Sequence, residues 1–248
     1  MCTEKAITTA IIRKQTLLAE NTYLLEVDCA SIATKIKPGN FVNISLTNDT
    51  QGCLLKRPLS VHYVIGNRIS FLYKVKGAVT KIMSSLKDKA ELQIIGPLGN
   101  SFSEIKNKKV LLIGGGMGIA PLIYYAQSLK QNNSLVVVHG VKNKKEIIKW
   151  DNLEVAYHVD EVEGCFVCDK AEDLIRLHSI DHVVSCGPLP MMQKVVESAN
   201  KMKVRVEVSL EARMACGFGA CLGCVLDTKT GYKRVCVDGP VFEGSEIW

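Results

Sequence analysis

The run "KVLLIGGGMGIAPLIYYAQSLKQ", beginning at Lys109, restricts the fold more than any other stretch of the 248 residues. Its first part is uninterruptedly apolar, as in a strand buried on both faces; a glycine cluster breaks it and a helix follows. From Lys108 onward the alternation continues through "SLVVVHG", "LEVAYHVD", "AEDLIRL", "HVVSCGP", "MMQKVVESANKM" and "VRVEVSLE". Strands alternating with helical segments imply a parallel sheet with helices on both faces. At the turn, Gly114, Gly115, Gly116, Met117 and Gly118 lead to Pro121. Glycines there let backbone approach a pyrophosphate, and the following helix N-terminus favours its charge. A tight turn without a ligand is the alternative. The spacing is not G-x-G-x-x-G and no acidic residue ends the second strand, so the usual dehydrogenase fingerprint is absent.

Residues 6 to about 100 read differently. "YLLEVDC", "NFVNISL", "SVHYVIG", "ISFLYKVKG" and "AELQIIG" are short β-rich runs, punctuated by Pro38-Gly39 and Gly66-Asn67. This spacing predicts a small antiparallel barrel, with "VTKIMSSLKDK" as one short helix. "GPLGNSF", residues 96–102, reads as the hinge to the next region.

The C-terminal segment carries Cys216, Cys221 and Cys224 in C-x4-C-x2-C spacing, with Cys236 further on. No apolar run approaches the roughly 20 residues of a membrane span. "MCTEKAITTAIIRKQ" lacks a signal-peptide core, so the expected location is the cytoplasm. Ten cysteines in that compartment argue against a disulfide framework. Structural zinc commonly takes two C-x2-C knuckles, and only Cys221 and Cys224 form one. The order here is that of a plant-type [2Fe–2S] cluster, with Gly217, Gly219 and Gly223 letting a loop wrap closely. Zinc remains the competing reading. Cys2, Cys29, Cys53, Cys165, Cys168 and Cys186 are scattered. "CFVCD", with Cys165 and Cys168, reads as an apolar strand rather than a redox dithiol.

Two further motifs are weak in isolation. "KRPLSV" sets Arg57 and Ser60 about Pro58, where arginine can pair with a phosphate; an ordinary surface arginine is the alternative. "SCGPLPMM" puts Cys186 at the C-terminal end of a strand, where open parallel sheets bind ligands; an inert buried thiol is the alternative. Lys106, Lys108 and Lys109, and Lys142, Lys144, Lys145 and Lys149, read as solvated surface in a chain of net charge +6. Without interleaved aromatics, nucleic-acid binding has no support.

Together, R-P-x-S, G-G-x-G-x-A-P, C-G-P and the tail "SLEARMACGFGACLGCVL…DGPVF" span nearly the whole chain. In this order they resemble the electron-transfer subunits of NAD-linked, type-B dihydroorotate dehydrogenases, within the ferredoxin–NADP reductase superfamily. The resemblance implies an FAD-binding β-barrel (residues 1–102), an NAD-binding α/β domain (103–208) and a small [2Fe–2S] domain (209–248). It implies FAD held by Arg57, Pro58, Leu59 and Ser60, with Leu72, Tyr73 and Lys74 along the flavin and Gly77, Val79 and Thr80 near its pyrophosphate. Val79 stands where the family has glycine, and Lys74 where arginine is common. Gly114 to Pro121 would cradle NAD or NADP, Cys186, Gly187 and Pro188 would lie near the nicotinamide, and the four tail cysteines would ligate the cluster.

The implied partner is an FMN-containing catalytic subunit that oxidises dihydroorotate, in a heterotetramer with two copies of each chain. Electrons would pass from it through the cluster and FAD to NAD+, and this chain would hold no dihydroorotate site. A ferredoxin–NADP reductase or sulfide dehydrogenase subunit of the same build is the alternative, and a zinc-stabilised binding module is a second, of another class. Lys142, Lys144 and Lys145 are candidates to meet a 2′-phosphate.

Overall fold

Along the strand Phe41–Leu46, Val42 and Ile44 face one hydrophobic core while Phe41 faces another, the period-two alternation of a strand between two packed layers. The computed structural model describes residues 5–46, 55–150 and 152–248, so Cys2 and Cys53 lie outside the described residues. Strands β1 (Ala6–Ala19), β2 (Thr22–Asp28), β3 (Phe41–Leu46), β4 (Arg57–Ile65), β5 (Arg68–Lys74) and β6 (Glu91–Leu98) close an antiparallel barrel in the order β1-β2-β5-β4-β3-β6. Its core includes Ile12, Leu25, Val27, Ile69, Phe71 and Ile94, each contributing about 1.5–3 kcal/mol by leaving water. Helices α1 (Ala30–Ala33) and α2 (Ala78–Ser85) plug its ends, with Ile32, Val79 and Met83 turned inward.

Strand β1 is the element the sequence patterns miss. Register shifts between Ile12 and Lys14, and between Leu17 and Ala19, break its alternation and leave Leu17 exposed. The expected hinge also begins late. Gly96 to Leu98 still belong to β6, and the chain turns at Gly99, whose φ is +73°. A Cβ there would stand 2.4 Å from Pro240 Cδ, so the turn is pressed against the C-terminal tail.

The second layer is built on β7 (Lys109–Gly115), whose Val110 to Gly115 are all buried. Helix α3 (Ile119–Leu129) follows, then β8 (Ser134–Val141), β9 (Ala156–Val159), α4 (Asp160–Glu163), α5 (Ala171–His178), β10 (His182–Cys186), α6 (Leu189–Lys201) and β11 (Arg205–Ser209). Val110, Leu112 and Val184 pack on the α3 side, while Leu111, Ile113 and Val183 pack against α5 and α6. The sheet is therefore covered on both faces.

"CFVCD" is not the strand expected. Val167–Lys170 form a 3-10 turn leading into α5, because the Asp169 carboxylate accepts the Phe166 backbone N–H at 2.9 Å and starts the helical path. The tail forms a hairpin of β12 (Val225–Thr228) and β13 (Gly231–Arg234), then β14 (Val241–Glu243) and α7 (Gly244–Ile247). Strand β14 pairs antiparallel with β11, giving the six-stranded order β14-β11-β10-β7-β8-β9. Asn100, just past the barrel, clasps the tail: its amide donates to Val241 O at 2.8 Å and its carbonyl accepts Val241 N–H at 2.9 Å.

Candidate cofactor clefts and cysteine cluster

A cleft of about 200 Å³ opens where three parts of the chain meet. Pro58, Leu59, Ser60, Leu72, Tyr73, Lys74 and Thr80 line it from the barrel; Met117 and Ala120 from the glycine turn; Leu210, Glu211 and Met214 from the segment leading to Cys216. The barrel residues converge because β4 and β5 are paired neighbours, as Val61 opposite Phe71 shows, and α2 follows β5 directly. Its walls are apolar and aromatic with Lys74 and Lys76 at the edge, a donor set that suits a planar ring carrying a phosphate tail. Arg57, at the start of β4, donates to Leu55 O at 2.7 Å and is not among the cleft-lining residues.

At α2 the Thr80 hydroxyl accepts the N–H groups of Lys76 and Gly77 at 3.0 and 3.1 Å. A Cβ at Gly77 would meet nothing within 4 Å, so the space before the helix is open. Val79 turns its side chain into the barrel core, 4% exposed. The outer face of the turn is therefore clear of this side chain.

A second cleft of about 370 Å³ lies at the carboxyl ends of the parallel strands. Gly115, Gly116, Gly140, Lys142, Glu146, Asp160, Cys168, Pro188 and Lys194 line it. Gly116 has φ +53° with no atom within 4 Å of an added Cβ, a cradle for a ligand. At Gly118 the reverse holds: a Cβ would stand 2.1 Å from Cys186 O, so glycine lets the turn touch the C-G-P segment. Gly187 is similarly tight against Gly115. Gly114 and Pro121 are buried behind the turn. Of the three candidate lysines for a 2′-phosphate, Lys142 lines this cleft, facing the carboxylates of Glu146 and Asp160.

Cys186 is 1% exposed. Burial pushes its thiol well above the usual range and the nearby Glu211 carboxylate adds to this, with the Ser209 hydrogen bond opposing. Glu211 keeps solvent contact at the cleft mouth, yet the protein packed around it raises its carboxyl, with Lys76 opposing. Cys168 is buried along the second cleft, while Cys165 is half-buried and its carbonyl accepts from His158 Nε2 at 2.8 Å. Sequence patterns pointed to neither Glu211 nor Asp160. Glu211 takes its setting from Lys76 and Cys186, both distant in sequence, while Asp160 lies in the acidic run D-E-V-E and has the pattern of a solvated turn.

The four tail cysteines carry free thiols gathered two and two: Cys216 is hydrogen-bonded to Cys221, and Cys236 to Cys224. Burial would raise the Cys216 thiol, but backbone N–H groups of Cys221, Phe218 and Ala220 and the Cys221 side chain outweigh it and hold it at about 6. Burial pushes Cys236 up to about 12, reinforced by Cys224 and opposed by a Gly219 backbone hydrogen bond. Among the described residues, no three Cys, His, Asp or Glu side chains gather around one ion-sized point. Paired thiols with backbone N–H donors suit a two-iron centre taking two thiolates on each iron, rather than a single tetrahedral ion.

Residues 211–248 match the iron-sulfur cluster binding domain of dihydroorotate dehydrogenase B. Over 243 residues the chain is 39% identical to the dihydroorotate dehydrogenase B (NAD(+)) electron transfer subunit of Clostridium perfringens, covering 95% of this chain and 96% of the relative. It is also 39% identical over 222 residues to that of Caldanaerobacter subterraneus, covering 86% and 87%. A solved NADH-dependent reduced ferredoxin-NADP oxidoreductase superposes with TM-score 0.85 at 29% identity, over 98% of this chain and 91% of that one. Ferredoxin-NADP+ reductase from Plasmodium falciparum shares the fold at TM-score 0.66 and 17% identity, over 84% and 96%.

Proposed function

The chain belongs to the family of dihydroorotate dehydrogenase B electron transfer subunits, and from that membership we propose how its residues divide the work. It is an oxidoreductase subunit of pyrimidine biosynthesis, using FAD, a [2Fe–2S] cluster and NAD to move electrons from dihydroorotate to NAD+ with a separate catalytic subunit. When bound, a flavin exchanges two electrons with a nicotinamide as hydride and single electrons with an iron–sulfur cluster.

One observation carries the residue assignment: the first cleft is walled jointly by the barrel, the glycine turn and the segment running into Cys216. A ring held there touches the partners on either side. We assign residues 1–102 to FAD, 103–208 to NAD and 209–248 to the cluster. Pro58, Leu59, Ser60, Leu72 and Tyr73 wall the flavin ring and exclude water from one face. Arg57 supplies positive charge for its phosphates and Lys74 lies along the flavin, while Gly77, Val79 and Thr80 present the first turn of α2 to the pyrophosphate. Gly114, Gly115, Gly116, Met117, Gly118 and Pro121 form the nicotinamide dinucleotide's backbone cradle. Cys186, Gly187 and Pro188 set the position of the nicotinamide, with the Cys186 Sγ kept protonated by its burial. Cys216, Cys221, Cys224 and Cys236 hold the cluster.

The partner is assigned as an FMN-containing catalytic subunit, two copies of each chain assembling in the cytoplasm. Among the described residues no helix is long and apolar enough to cross a membrane. Phe218 and Leu222, exposed on the cysteine loop, offer apolar surface for that partner. The alternative of a reductase serving another partner is not favoured, since the 39% relatives carry the dihydroorotate dehydrogenase B name.

Anaerobic purification with flavin and metal analysis tests this reading. The expected result is about one FAD and two irons per chain, with dihydroorotate turnover only after the catalytic subunit is added. Zinc in place of iron, or turnover by this chain alone, would overturn it.

A further inference from the structure

Asn43 is 0% exposed, an uncharged polar side chain sealed between the barrel and the cysteine loop. Its amide N–H donates to the Cys216 carbonyl at 3.0 Å, across 173 residues of sequence. Among the described residues its own Oδ1 is buried with no hydrogen-bond partner, an arrangement whose cost a leucine of similar size would avoid. Across the β3–β4 ladder its partner is Pro58, a wall of the first cleft. The loop is shaped to receive this amide. Gly217 has φ +80°, and a Cβ on it would stand 2.2 Å from Asn43 Nδ2 and 3.1 Å from Leu98.

We propose that Asn43 is a positioning residue for the cluster, seating the Cys216 loop on the outer face of the flavin barrel one ladder position from Pro58. This rests on the reading of the tail cysteines as cluster ligands and of the first cleft as the flavin site. Asn43 touches none of the proposed cofactors. It fixes the loop that carries the first ligand, and so the separation and orientation between cluster and flavin. The tolerated orphan oxygen follows from that role: the amide is kept for its donor, and the fold supplies nothing for its acceptor.

Two variants press on the same contact from opposite sides: Asn43→Leu removes the donor, and Gly217→Ala pushes the loop off it. Each is compared with wild type as the holo-chain in complex with its catalytic subunit. NADH is mixed in anaerobically, so that each hydride brings two electrons to the flavin and these leave singly to the oxidised cluster. Flavin bleaching and cluster reduction are followed separately, by absorbance and by freeze-quench EPR, and iron loss to a chelator is timed. Expected are flavin content and bleaching within about twofold of wild type in both variants, with cluster reduction slowed about tenfold or more and iron lost faster. Unchanged cluster reduction and iron retention in both would overturn the proposal. So would a parallel fall in flavin content and bleaching, which would mark a role in folding alone. Wild-type chain without iron would instead sink the cluster reading beneath it.

Discussion

Lys74 Nζ lies 2.6 Å from Glu146 Oε1, joining the last residue of a barrel strand to the turn after β8. Lys74 lines the first cleft and Glu146 the second, so the pair forms part of the wall that the two clefts share. Glu146 also accepts the Lys142 backbone N–H at 3.3 Å, and these bonds hold its carboxyl below the usual range against the opposing effect of burial. The Lys74 ammonium thus has a defined partner.

Breaking this pair is expected to raise the KM for NADH more than it lowers kcat, because the pair sits in the wall between the two clefts and shapes the nucleotide side of it. Lys74→Met and Glu146→Gln should each weaken nucleotide binding. Their double-mutant coupling should be about 1 kcal/mol, modest because water reaches both side chains. Steady-state diaphorase kinetics of the three variants measure it.

Replacing Cys216, Cys221, Cys224 or Cys236 singly with serine is expected to remove most of the iron while leaving FAD bound, because the first cleft takes none of its walls from these four residues. Cys186→Ala should leave the iron content unchanged. Metal analysis and the visible spectrum separate the two outcomes.

Asp160 lines the second cleft, and burial raises its carboxyl with help from Glu146, Asp169 and Glu163, against His158. A 2′-phosphate there would face a cluster of carboxylates, whereas a ribose hydroxyl would find an acceptor. Asp160→Ser is expected to narrow the preference for NADH over NADPH by about tenfold, read as the ratio of kcat/KM values. An unchanged ratio would place the adenine ribose elsewhere.

His139 is 1% exposed, with Nε2–H donating to Gly116 O at 2.9 Å and Nδ1 buried without a partner among the described residues. Burial pushes it down to about 4 from its ordinary 6.5, against the pull of the Gly116 bond and Glu146. The unfolded chain therefore takes up this proton first as pH falls. Stability should decline from pH 6.5 toward 4, by about 3 kcal/mol at the lower end. His139→Gln should flatten that acid limb in thermal melts recorded across the range.

Glu207 works at lower pH. Burial would raise its carboxyl, but bonds from His182 at 3.2 Å and the Ser103 hydroxyl at 2.7 Å hold it below its ordinary value of 4.5. Its stabilisation is complete above that value and is lost as pH falls through the lowered one. Glu207→Gln should remove this second, more acidic limb, checked by the same melts.

How much was legible depended on whether a signal was local. The β7 strand, its glycine turn and α3 were readable because one continuous apolar run and one cluster of glycines specify them. The iron–sulfur character of the tail was readable from cysteine spacing. Strand β1 was not, since its two bulges erase the alternation that marks a strand. "CFVCD" misled because its apolar letters outweighed Asp169, whose capping carboxylate turns the backbone into a helix start. Asn43 and Glu146 were out of reach for another reason: their partners Cys216 and Lys74 sit far along the chain, and no short pattern encodes a contact over 173 residues.

Strand β14 lies within the last eight residues, yet it completes the edge of a sheet begun at Lys109. During synthesis the cysteines therefore emerge before the strand that fixes their segment in place. By the same geometry, a stop codon after Cys236 would spare all four thiols and still leave an unfinished sheet.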